Sequence, residues 1–446
     1  MLRIPKLRVI DVRGRALSTA ELLDIVPRAG AGVDSAVDAV DAIIAEVRTG
    51  GADALLAQAE RFDGVRPPYV RVPAHELSAA LDALNPEVRA ALDEAIDRVR
   101  RTTAAQVPEQ RTTEVAPGAR IVQRWQPVSR VGLYVPGGKA VYPSSVVMNV
   151  VAAQVAGVRS IALASPPQRE HDGGVHPTIL AAAALLGVNE VYAMGGAGAI
   201  AALAYGVPGI GLDPVQVITG PGNLFVATAK RAVKGIVGID SEAGPTEILV
   251  IADRTAQPDY VVADLISQAE HDELAGSVLV TDSVELADAV QAALPAAVAR
   301  TRHRARVETA LAGEQSAIVL VDDLAQAAQV SNVYGPEHLE LQVADNAALL
   351  ALIENAGAIF VGDHTPVSLG DYVAGSNHVL PTGGQARFAA GLGAYTFLRP
   401  QQIIEYDRDA LAEVARHVES LSDAEQLPAH GDAVRARFPG DARGLD

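Results

Sequence analysis

The chain has 446 residues, 49% of them hydrophobic, so it can bury a large core and is long enough for more than one domain. Its formal net charge of −18 argues against nucleic acid and anionic membrane surfaces as partners, because both require basic patches. The absence of cysteine excludes disulfide bonds and thiolate ligands, so any bound metal would need nitrogen and oxygen ligands.

No targeting or membrane-spanning segment is expected. The opening sequence, Met1-Leu2-Arg3-Ile4-Pro5-Lys6, leads into charged residues without the long apolar core of a secretory signal. The longest apolar stretch, residues 146–164, contains Asn149, Gln154 and Arg159, which indicates a helix followed by a strand and not a membrane span. We therefore expect a cytoplasmic protein.

The first hundred residues predict a small appendage followed by helices. Residues 1–33 mix charged and apolar side chains and are expected to form an N-terminal appendage. Residues 34–47 place valine and isoleucine side chains on one face, which predicts a helix that ends at Gly50-Gly51. A second amphipathic helix is predicted for residues 86–101.

Strand-like and helix-like segments then alternate in two series, which predicts α/β domains with mostly parallel sheets covered by helices. The strands predicted in the first series are 131–135, 160–164, 191–194, 215–219 and 248–251. Those of the second series are 278–281, 318–321, 339–342 and 359–361. Two Rossmann-like domains are expected, followed by a polar helical tail after about Pro400.

Glycine-rich turns follow several of these strands. Gly196, Gly198 and Ala201 formally match the dinucleotide fingerprint G-x-G-x-x-A, although Asp213 lies nearer than the ribose-binding acid of that motif usually does. Close packing of a helix on a strand by small residues explains the same pattern. Two further turns, Gly137-Gly138 and Gly220-Pro221-Gly222, can let a phosphate approach the backbone, or can simply be tight.

The predicted helix 258–270 carries Gln268 and, just past its end, His271, three residues apart and therefore on one helix face. A neutral imidazole is a good zinc ligand, and an amide oxygen is a weaker, harder one. A polar patch at the end of a surface helix is the alternative interpretation.

Three other segments combine a histidine with a carboxylate. Glu337-His338 lies between a helix and a strand, a glycine-rich loop carries Asp371 and His378, and a C-terminal helix ends with Glu425 near His430, where Pro428 interrupts the helix. Each could be an ordinary surface cluster. Together with Gln268 and His271, they predict a metal and acid–base site assembled from distant parts of the chain.

These segments, with Tyr134-Val135-Pro136-Gly137-Gly138, Gly220-Pro221-Gly222-Asn223 and Ala243-Gly244-Pro245-Thr246-Glu247, resemble the L-histidinol dehydrogenase family over roughly residues 130–430. The resemblance implies zinc-dependent oxidation of L-histidinol to L-histidine through L-histidinal, with NAD as oxidant, at the last step of histidine biosynthesis. It also implies an aldehyde-dehydrogenase-like architecture and a homodimer with active sites shared between subunits.

The expected domain division follows. Residues 1–33 form the appendage, residues 34–129 and 247–392 a discontinuous substrate and zinc domain, residues 130–246 an NAD-binding domain, and residues 393–446 a helical tail used in dimerisation.

The resemblance also implies residue roles. It implies zinc ligands at Gln268, His271, Asp371 and His430. The same four residues, with His338, are expected to contact the substrate, as are Thr246 (where the family usually has serine), His378 and Glu425. Cofactor contacts are expected at Tyr134, Asn223 and Gly198, although the family usually has glutamine at the last position.

The missing cysteine restricts the aldehyde step, because no covalent thiohemiacetal can form. A hydrated aldehyde must then donate the hydride, and this requires a base. We expect His338 to be the main general base and Glu337 to activate water. Two alternatives remain at this stage: a zinc hydrolase acting on a small amine-bearing substrate, and a non-catalytic relative that binds small molecules.

Overall fold

The structure is a computed structural model that describes residues 6–28, 36–137, 141–242 and 244–439. Outside the described residues lie 1–5 and 29–33 of the expected appendage, Asp34 and Ser35 of the expected helix, Gly138, Ala243, and 440–446 of the expected tail. The chain forms two compact units, the first of Met1–Gln106 with Val128–Phe397 and the second of Val107–Pro127 with Leu398–Asp446.

The described strands are β1 (Arg8–Asp11), β2 (Arg111–Ala116), β3 (Ala119–Pro127), β4 (Arg130–Tyr134), β5 (Ser160–Ser165), β6 (Val191–Ala193), β7 (Val217–Thr219), β8 (Gly238–Ile239), β9 (Glu247–Ala252), β10 (Gly276–Thr281), β11 (Ala317–Leu320), β12 (His338–Gln342), β13 (Ala358–Val361) and β14 (Leu398–Tyr406).

The described helices are α1 (Thr19–Ile25), α2 (Val37–Phe62), α3 (Ala74–Asp82), α4 (Pro86–Ala104), α5 (Pro143–Val155), α6 (Pro177–Leu185), α7 (Gly196–Tyr205), α8 (Leu224–Val233), α9 (Pro258–Ala269), α10 (Val284–Val298), α11 (Arg304–Ala312), α12 (Leu324–Tyr334), α13 (Asn346–Leu350), α14 (Val367–Tyr372), α15 (Arg408–Ala424) and α16 (Pro428–Arg435). None of these helices has the length and apolar character needed to cross a membrane.

The smaller parallel sheet of the first unit has the order β6-β5-β4-β7-β8 within the described residues. Its central strands are apolar on both faces; Val131, Leu133 and Leu163 are fully buried, as expected for a parallel sheet covered by helices. Apart from a few terminal residues, β4 to β7 coincide with the predicted strands. The short β8 was not predicted.

The larger sheet of the same unit is also parallel, and its described strands have the order β1-β11-β10-β9-β12-β13. The predicted α/β class with mostly parallel sheets is therefore confirmed. The expected separate appendage differs from the structure in one respect, because β1 is an edge strand of this sheet. Arg8 pairs with Ala317, a partner too distant in the sequence for local patterns to reveal.

The pairing of β9 with β12 positions the candidate site. Ile248 is in register with His338, so the residues just before and at the start of these two strands lie side by side. Helix α9 runs antiparallel to β9 and returns the chain to the same edge. The amino ends of β9 and β12 and the carboxyl end of α9 therefore meet.

Helix α2 differs from the predicted helix 34–47. The helix bends at Gly51, whose φ of 52° lies in the left-handed region, and then continues to Phe62. The predicted glycine stop is a kink between two helical segments. The second segment packs against α7 through residues such as Leu55, because its buried face continues the hydrophobic core of the smaller sheet.

The second unit contains an antiparallel sheet in the order β14-β3-β2 among the described residues, together with α15 and α16. The tail predicted to be helical after about Pro400 contains α15 and α16, but the prediction is wrong for its first residues, because residues 398–406 form β14. Residues 107–127 also group with this tail and not with the rest of the expected segment 34–129. Long-range pairing with β3 stabilises β14, and local sequence contains no record of that partner.

Candidate active site

A chain of hydrogen bonds crosses the amino ends of β9 and β12. The Gln268 side-chain amide donates to the Thr246 hydroxyl oxygen (Nε2 to Oγ1, 2.6 Å), and that hydroxyl donates to Glu337 Oε2 (2.6 Å). The backbone N–H of Glu247 also donates to Glu337 Oε2 (3.1 Å). These bonds orient the amide of Gln268 and the carboxyl group of Glu337 through one threonine.

The orientation of Gln268 leaves its carbonyl oxygen free. Its side chain is 1% exposed, yet Oε1 has no hydrogen-bond partner among the described residues. A buried unpaired oxygen is costly, so such an atom indicates a missing partner. An amide oxygen of this kind suits a metal ion or a donor on a substrate.

The carboxyl group of Glu337 is buried and strongly perturbed. Burial raises the pKa of Glu337 to about 8, and the hydrogen bonds from Thr246 and the Glu247 N–H oppose that rise. The nearby Asp371 raises the pKa further, because two carboxylates disfavour each other's ionised form. A carboxyl group with a pKa near neutrality can both give and take a proton.

The imidazole of His338 lies beside this carboxyl group. Its Nδ1 is 3.2 Å from the backbone carbonyl oxygen of Glu247, which can only accept a hydrogen bond, so we assign the proton to Nδ1. Burial lowers the pKa of His338, with Asp371 opposing, and the ring is therefore neutral. A neutral ring protonated at Nδ1 has a lone pair at Nε2, as a general base requires.

His378 belongs to a hydrogen-bond network that links the two sheets of the first unit. Its Nδ1 donates to the backbone oxygen of Asp371 (2.8 Å), so its Nε2 accepts from the hydroxyl of Ser145 (3.0 Å). The backbone oxygen of Ser145 accepts from Asn149 Nδ2 (2.8 Å), and Asn149 Oδ1 accepts from Thr219 Oγ1 (2.7 Å). The amino end of the larger sheet is thereby connected to the carboxyl end of the smaller one.

Ser145 was not among the predicted site residues. The available signal was its place in the first turn of a helix that follows the Gly137 turn. Serine is common in first helical turns, so this signal did not separate a functional position from a structural one.

His271 completes the cluster. Burial lowers the pKa of His271, which keeps its imidazole neutral, and Asp371 and His338 are close enough to shift that pKa in opposite directions. The structure thus brings together the predicted residues Thr246, Gln268, His271, Glu337, His338, Asp371 and His378.

The donor chemistry of this cluster fits a zinc ion. An unpaired amide oxygen, a neutral imidazole and a carboxylate are contributed by Gln268, His271 and Asp371. No group of three or more histidine, aspartate and glutamate side chains able to hold a metal occurs within the described residues. A zinc site built from these three residues therefore uses one amide oxygen as a ligand and needs a fourth ligand from elsewhere.

The remaining predicted ligand, His430, belongs to the second unit, as does Glu425. Glu425 caps the carboxyl end of α15, His430 lies in the first turn of α16, and both are exposed. The predicted helix break at Pro428 is confirmed, because Pro428 begins a new helix.

The predicted cofactor residues lie at the carboxyl edge of the smaller sheet. The hydroxyl of Tyr134 accepts from the Gly196 N–H (3.2 Å), and Asn223 Oδ1 accepts from the N–H groups of Phe225 (3.0 Å) and Val226 (3.2 Å). Both side chains therefore organise the backbone at the start of a helix. Burial raises the pKa of Tyr134 to about 12, so its hydroxyl remains protonated.

The two glycines of the fingerprint have different surroundings. A Cβ at Gly196 would meet only open space, whereas one at Gly198 would collide with the side-chain amide of Gln58 in α2. Gly196 therefore borders open space at a helix start, with its own N–H donated to Tyr134, and Gly198 serves close packing. Asp213 is at the opposite edge, because its carbonyl oxygen accepts from Arg130 at the amino end of β4 (3.3 Å).

Fold and site together define an α/β protein with a buried carboxyl–imidazole pair beside amide, imidazole and carboxylate groups of the kinds that bind metal ions. The histidinol dehydrogenase family model matches residues 26–438, so the chain belongs to the histidinol dehydrogenase family. The prediction of an oxidoreductase enzyme is confirmed, and the alternatives of a zinc hydrolase and a non-catalytic binding protein find no support.

Individual histidinol dehydrogenases are similar to this chain over nearly its whole length. A histidinol dehydrogenase from Leifsonia xyli subsp. xyli is 66% identical over 432 residues, which cover 97% of this chain and 99% of the relative. One from Nocardia farcinica is 60% identical, covering 96% of this chain and 97% of the relative. The crystal structure of histidinol dehydrogenase from Elizabethkingia anophelis superposes with a TM-score of 0.90 at 29% identity, covering 97% of this chain and 98% of that one.

Proposed function

We propose that the protein oxidises L-histidinol to L-histidine in two successive NAD-linked steps, with L-histidinal as intermediate and one zinc ion per subunit. This is the last step of histidine biosynthesis, and we place it in the cytoplasm. The observation that supports the proposal best is the connected set Gln268, Thr246 and Glu337 beside the neutral ring of His338.

The substrate contains an imidazole and an amine next to its alcohol. A bound zinc ion would supply a positive charge suited to nitrogen donors of this kind, and would thereby help to orient the substrate. The proposed ligands from this chain are Gln268, His271 and Asp371, with His430 as the fourth. Thr246, His378 and Glu425 are the proposed further contacts of the substrate. Thr246 would also keep Gln268 oriented, because it accepts from the amide of that residue.

NAD, when bound, would supply the hydride acceptor. In the first oxidation, Nε2 of His338 would take the proton of the alcohol as its carbon is oxidised. The product of this step is the aldehyde. Glu337 would then take a proton from a water molecule that adds to the aldehyde carbon, while His338 returns its proton to the aldehyde oxygen. This yields a hydrated aldehyde and a neutral imidazole. His338 removes a hydroxyl proton again as the second hydride leaves, and the carboxylic acid results. This route needs no thiol, in agreement with a chain without cysteine.

NAD would bind at the carboxyl edge of the smaller sheet, near the open space beside Gly196 and the loop that ends at Asn223. The buried Tyr134 would support this surface through its bond to the Gly196 N–H. Gly198 would contribute packing only.

The test is the stoichiometry of NADH formed from histidinol, followed by absorbance. Two NADH per histidinol with histidine as product is the expected result, and one NADH would contradict the second oxidation. Removing the metal with a chelator should abolish NADH formation, and added zinc should restore it. His271→Ala should lose bound zinc, measured by elemental analysis, even when zinc is in excess. Full activity of a demetallated sample would contradict the zinc assignment.

We also infer that the protein is a homodimer in which the partner subunit's Glu425 and the partner subunit's His430 complete each site. The support is chemical: the ligands proposed from the first unit leave the zinc shell incomplete, and both residues are exposed on the second unit.

A further inference from the structure

A buried ion pair adjoins the loop Gly220-Pro221-Gly222-Asn223. Lys230 in α8 is 1% exposed, and its ammonium group pairs with Asp240, which follows β8 and is 5% exposed. Transferring both charges from water into the protein is expensive, and well-packed apolar residues often stabilise a fold equally well. The pair is therefore better explained by what it holds in place than by its contribution to stability.

Both charges bind the same residue. Lys230 Nζ donates to the backbone oxygen of Gly220 (3.0 Å), and the backbone N–H of Gly220 donates to Asp240 Oδ2 (2.8 Å). The two peptide planes on either side of the Gly220 Cα are thereby held. These bonds fix a φ of 120°, which L-residues with a side chain rarely adopt.

The geometry of Gly220 determines where the loop goes. A Cβ at this position would collide with the backbone oxygen of Tyr134, so the loop lies directly against the end of β4. Three residues later, Asn223 caps α8. Lys230 is seven residues further along and so lies on the same face of that helix. The loop is therefore held at Gly220 by the ion pair and at Asn223 by the start of α8, and both restraints limit its conformations.

We propose that Lys230 and Asp240 are positioning residues for NAD: they hold the Gly220–Asn223 loop in the conformation that receives the dinucleotide. The inference rests on the proposed function, because NAD is the cofactor proposed there. Neither residue needs to touch the cofactor. Their effect is transmitted through the two backbone bonds to Gly220.

The test is a neutral double variant, Lys230→Met with Asp240→Asn, which leaves no unpaired buried charge and retains a side chain that can accept from the Gly220 N–H. Its dissociation constant for NAD, measured by calorimetry, should rise about tenfold, because charge-assisted hydrogen bonds that orient the loop are lost. Amide hydrogen exchange of residues 216–226 should accelerate. Zinc content and the KM for histidinol should stay within about twofold of wild type.

The matched control is Arg130→Met with Glu190→Gln. This pair is also largely buried, at 15% and 16% side-chain exposure, and belongs to the same sheet, but Arg130 is at the amino end of β4. The control should lose thermal stability without a change in NAD affinity. If both double variants weaken NAD equally, the effect is general loosening and the inference is wrong.

Unchanged NAD affinity in the Lys230 and Asp240 variant would also overturn the inference. If that variant does not fold, the single variant Asp240→Asn replaces it and should still weaken NAD severalfold; wild-type affinity there would contradict the proposal. A wild-type protein that binds no NAD would instead refute the proposed function, so the two failures are distinguishable.

Discussion

The imidazole of His338 has the backbone carbonyl oxygen of Glu247 as its hydrogen-bond acceptor at Nδ1 (3.2 Å), whereas Glu337 Oε2 lies further from that nitrogen (3.7 Å). A carbonyl acceptor fixes the tautomer but does not stabilise the imidazolium as strongly as a full negative charge would. The ring is therefore a base that releases its proton readily. This suits an enzyme whose base would have to act twice in each reaction cycle.

We expect His338→Asn to slow both oxidations by about a hundred- to ten-thousandfold, the usual effect of removing a positioned general base. The measurement is NADH formation from histidinol and, separately, from histidinal. His176→Asn is the matched control, because His176 caps α6 through its side chain and asparagine can do the same. The control should keep wild-type activity. A His338→Asn enzyme with normal rates in either oxidation would contradict the assignment.

Glu337→Gln should instead spare the oxidation of histidinol to histidinal and impair the oxidation of histidinal by about a hundredfold or more, since only the latter needs activated water. Glutamine can still accept from Thr246 and from the Glu247 N–H, so the local structure should persist. The two rates are measured as for His338→Asn, and thermal stability serves as the control. Equal losses in both oxidations would show that Glu337 does not have this separate role.

For individual residues, the sequence predicted the polar clusters of the candidate site because they interrupt long apolar segments. It could not predict that the hydroxyl of Thr246 donates to Glu337, a residue 91 positions away. That contact depends on the pairing of two particular strands. The same limitation applies to Ser145, whose partner His378 is 233 positions away.

Among the structural elements, helix α9 and strand β12 are joined by a second buried polar contact, which lies further along β12 than Glu337 and His338. Asp264 and Glu340 are 8% and 1% exposed and hydrogen-bond to each other, and Gln342 Nε2 donates to Asp264 Oδ2 (3.3 Å). Burial raises the pKa of Glu340 to about 9, with the neighbouring Asp264 adding to the effect, and burial also raises the pKa of Asp264 to about 6. The pair therefore shares a proton near neutral pH.

The pair should make stability depend on pH. Both carboxyl groups are protonated more readily in the folded protein than in the unfolded chain, so their contribution is complete at low pH. It is lost as the pH rises through about 6 and then about 9. We expect Glu340→Gln to reduce the fall in Tm between pH 6 and pH 9 by roughly one to two degrees.

The measurement is thermal unfolding at both pH values. The matched control is Glu60→Gln, which removes a carboxyl group whose side chain is 66% exposed and should leave the fall in Tm unchanged. An unchanged fall in Glu340→Gln would show that Glu340 has no raised pKa in the folded protein.

The sequence predicted these elements to different degrees. Strands such as β9 and β11 contain continuous apolar segments, which is typical of parallel sheets buried on both faces, and all but their terminal residues were predicted. β14 was not, because seven of its nine residues are exposed and its alternation with polar residues is weak. Its partner, β3, provides the information that the segment itself lacks.

For the whole molecule, we expect the partner subunit's His430 to complete each active site. We expect mixtures of His338→Asn and His430→Asn chains to recover activity, although each variant alone is inactive. If His430 acts on the partner subunit's site, a mixed dimer has one intact site, because both defects fall in the other.

Activity is measured after subunit exchange, and exchange is verified with two differently tagged chains. The matched control is a mixture of His338→Asn and His271→Ala chains, whose two residues both belong to the first unit. It should remain inactive, since every site then retains one defect. Absence of recovery in the first mixture, despite verified exchange, would reject a shared site.

The hydrogen bonds from Thr219 through Asn149 and Ser145 to His378 have a thermodynamic consequence. These bonds could couple the Gly220–Asn223 loop, where NAD is proposed to bind, to the proposed substrate site around His378. In that case the factor by which NAD changes the affinity for histidinol must equal the factor by which histidinol changes the affinity for NAD. We expect both factors, measured by calorimetry with a non-reacting substrate analogue, to move towards one in Asn149→Ala. Unchanged factors would mean that each ligand binds without regard to the other.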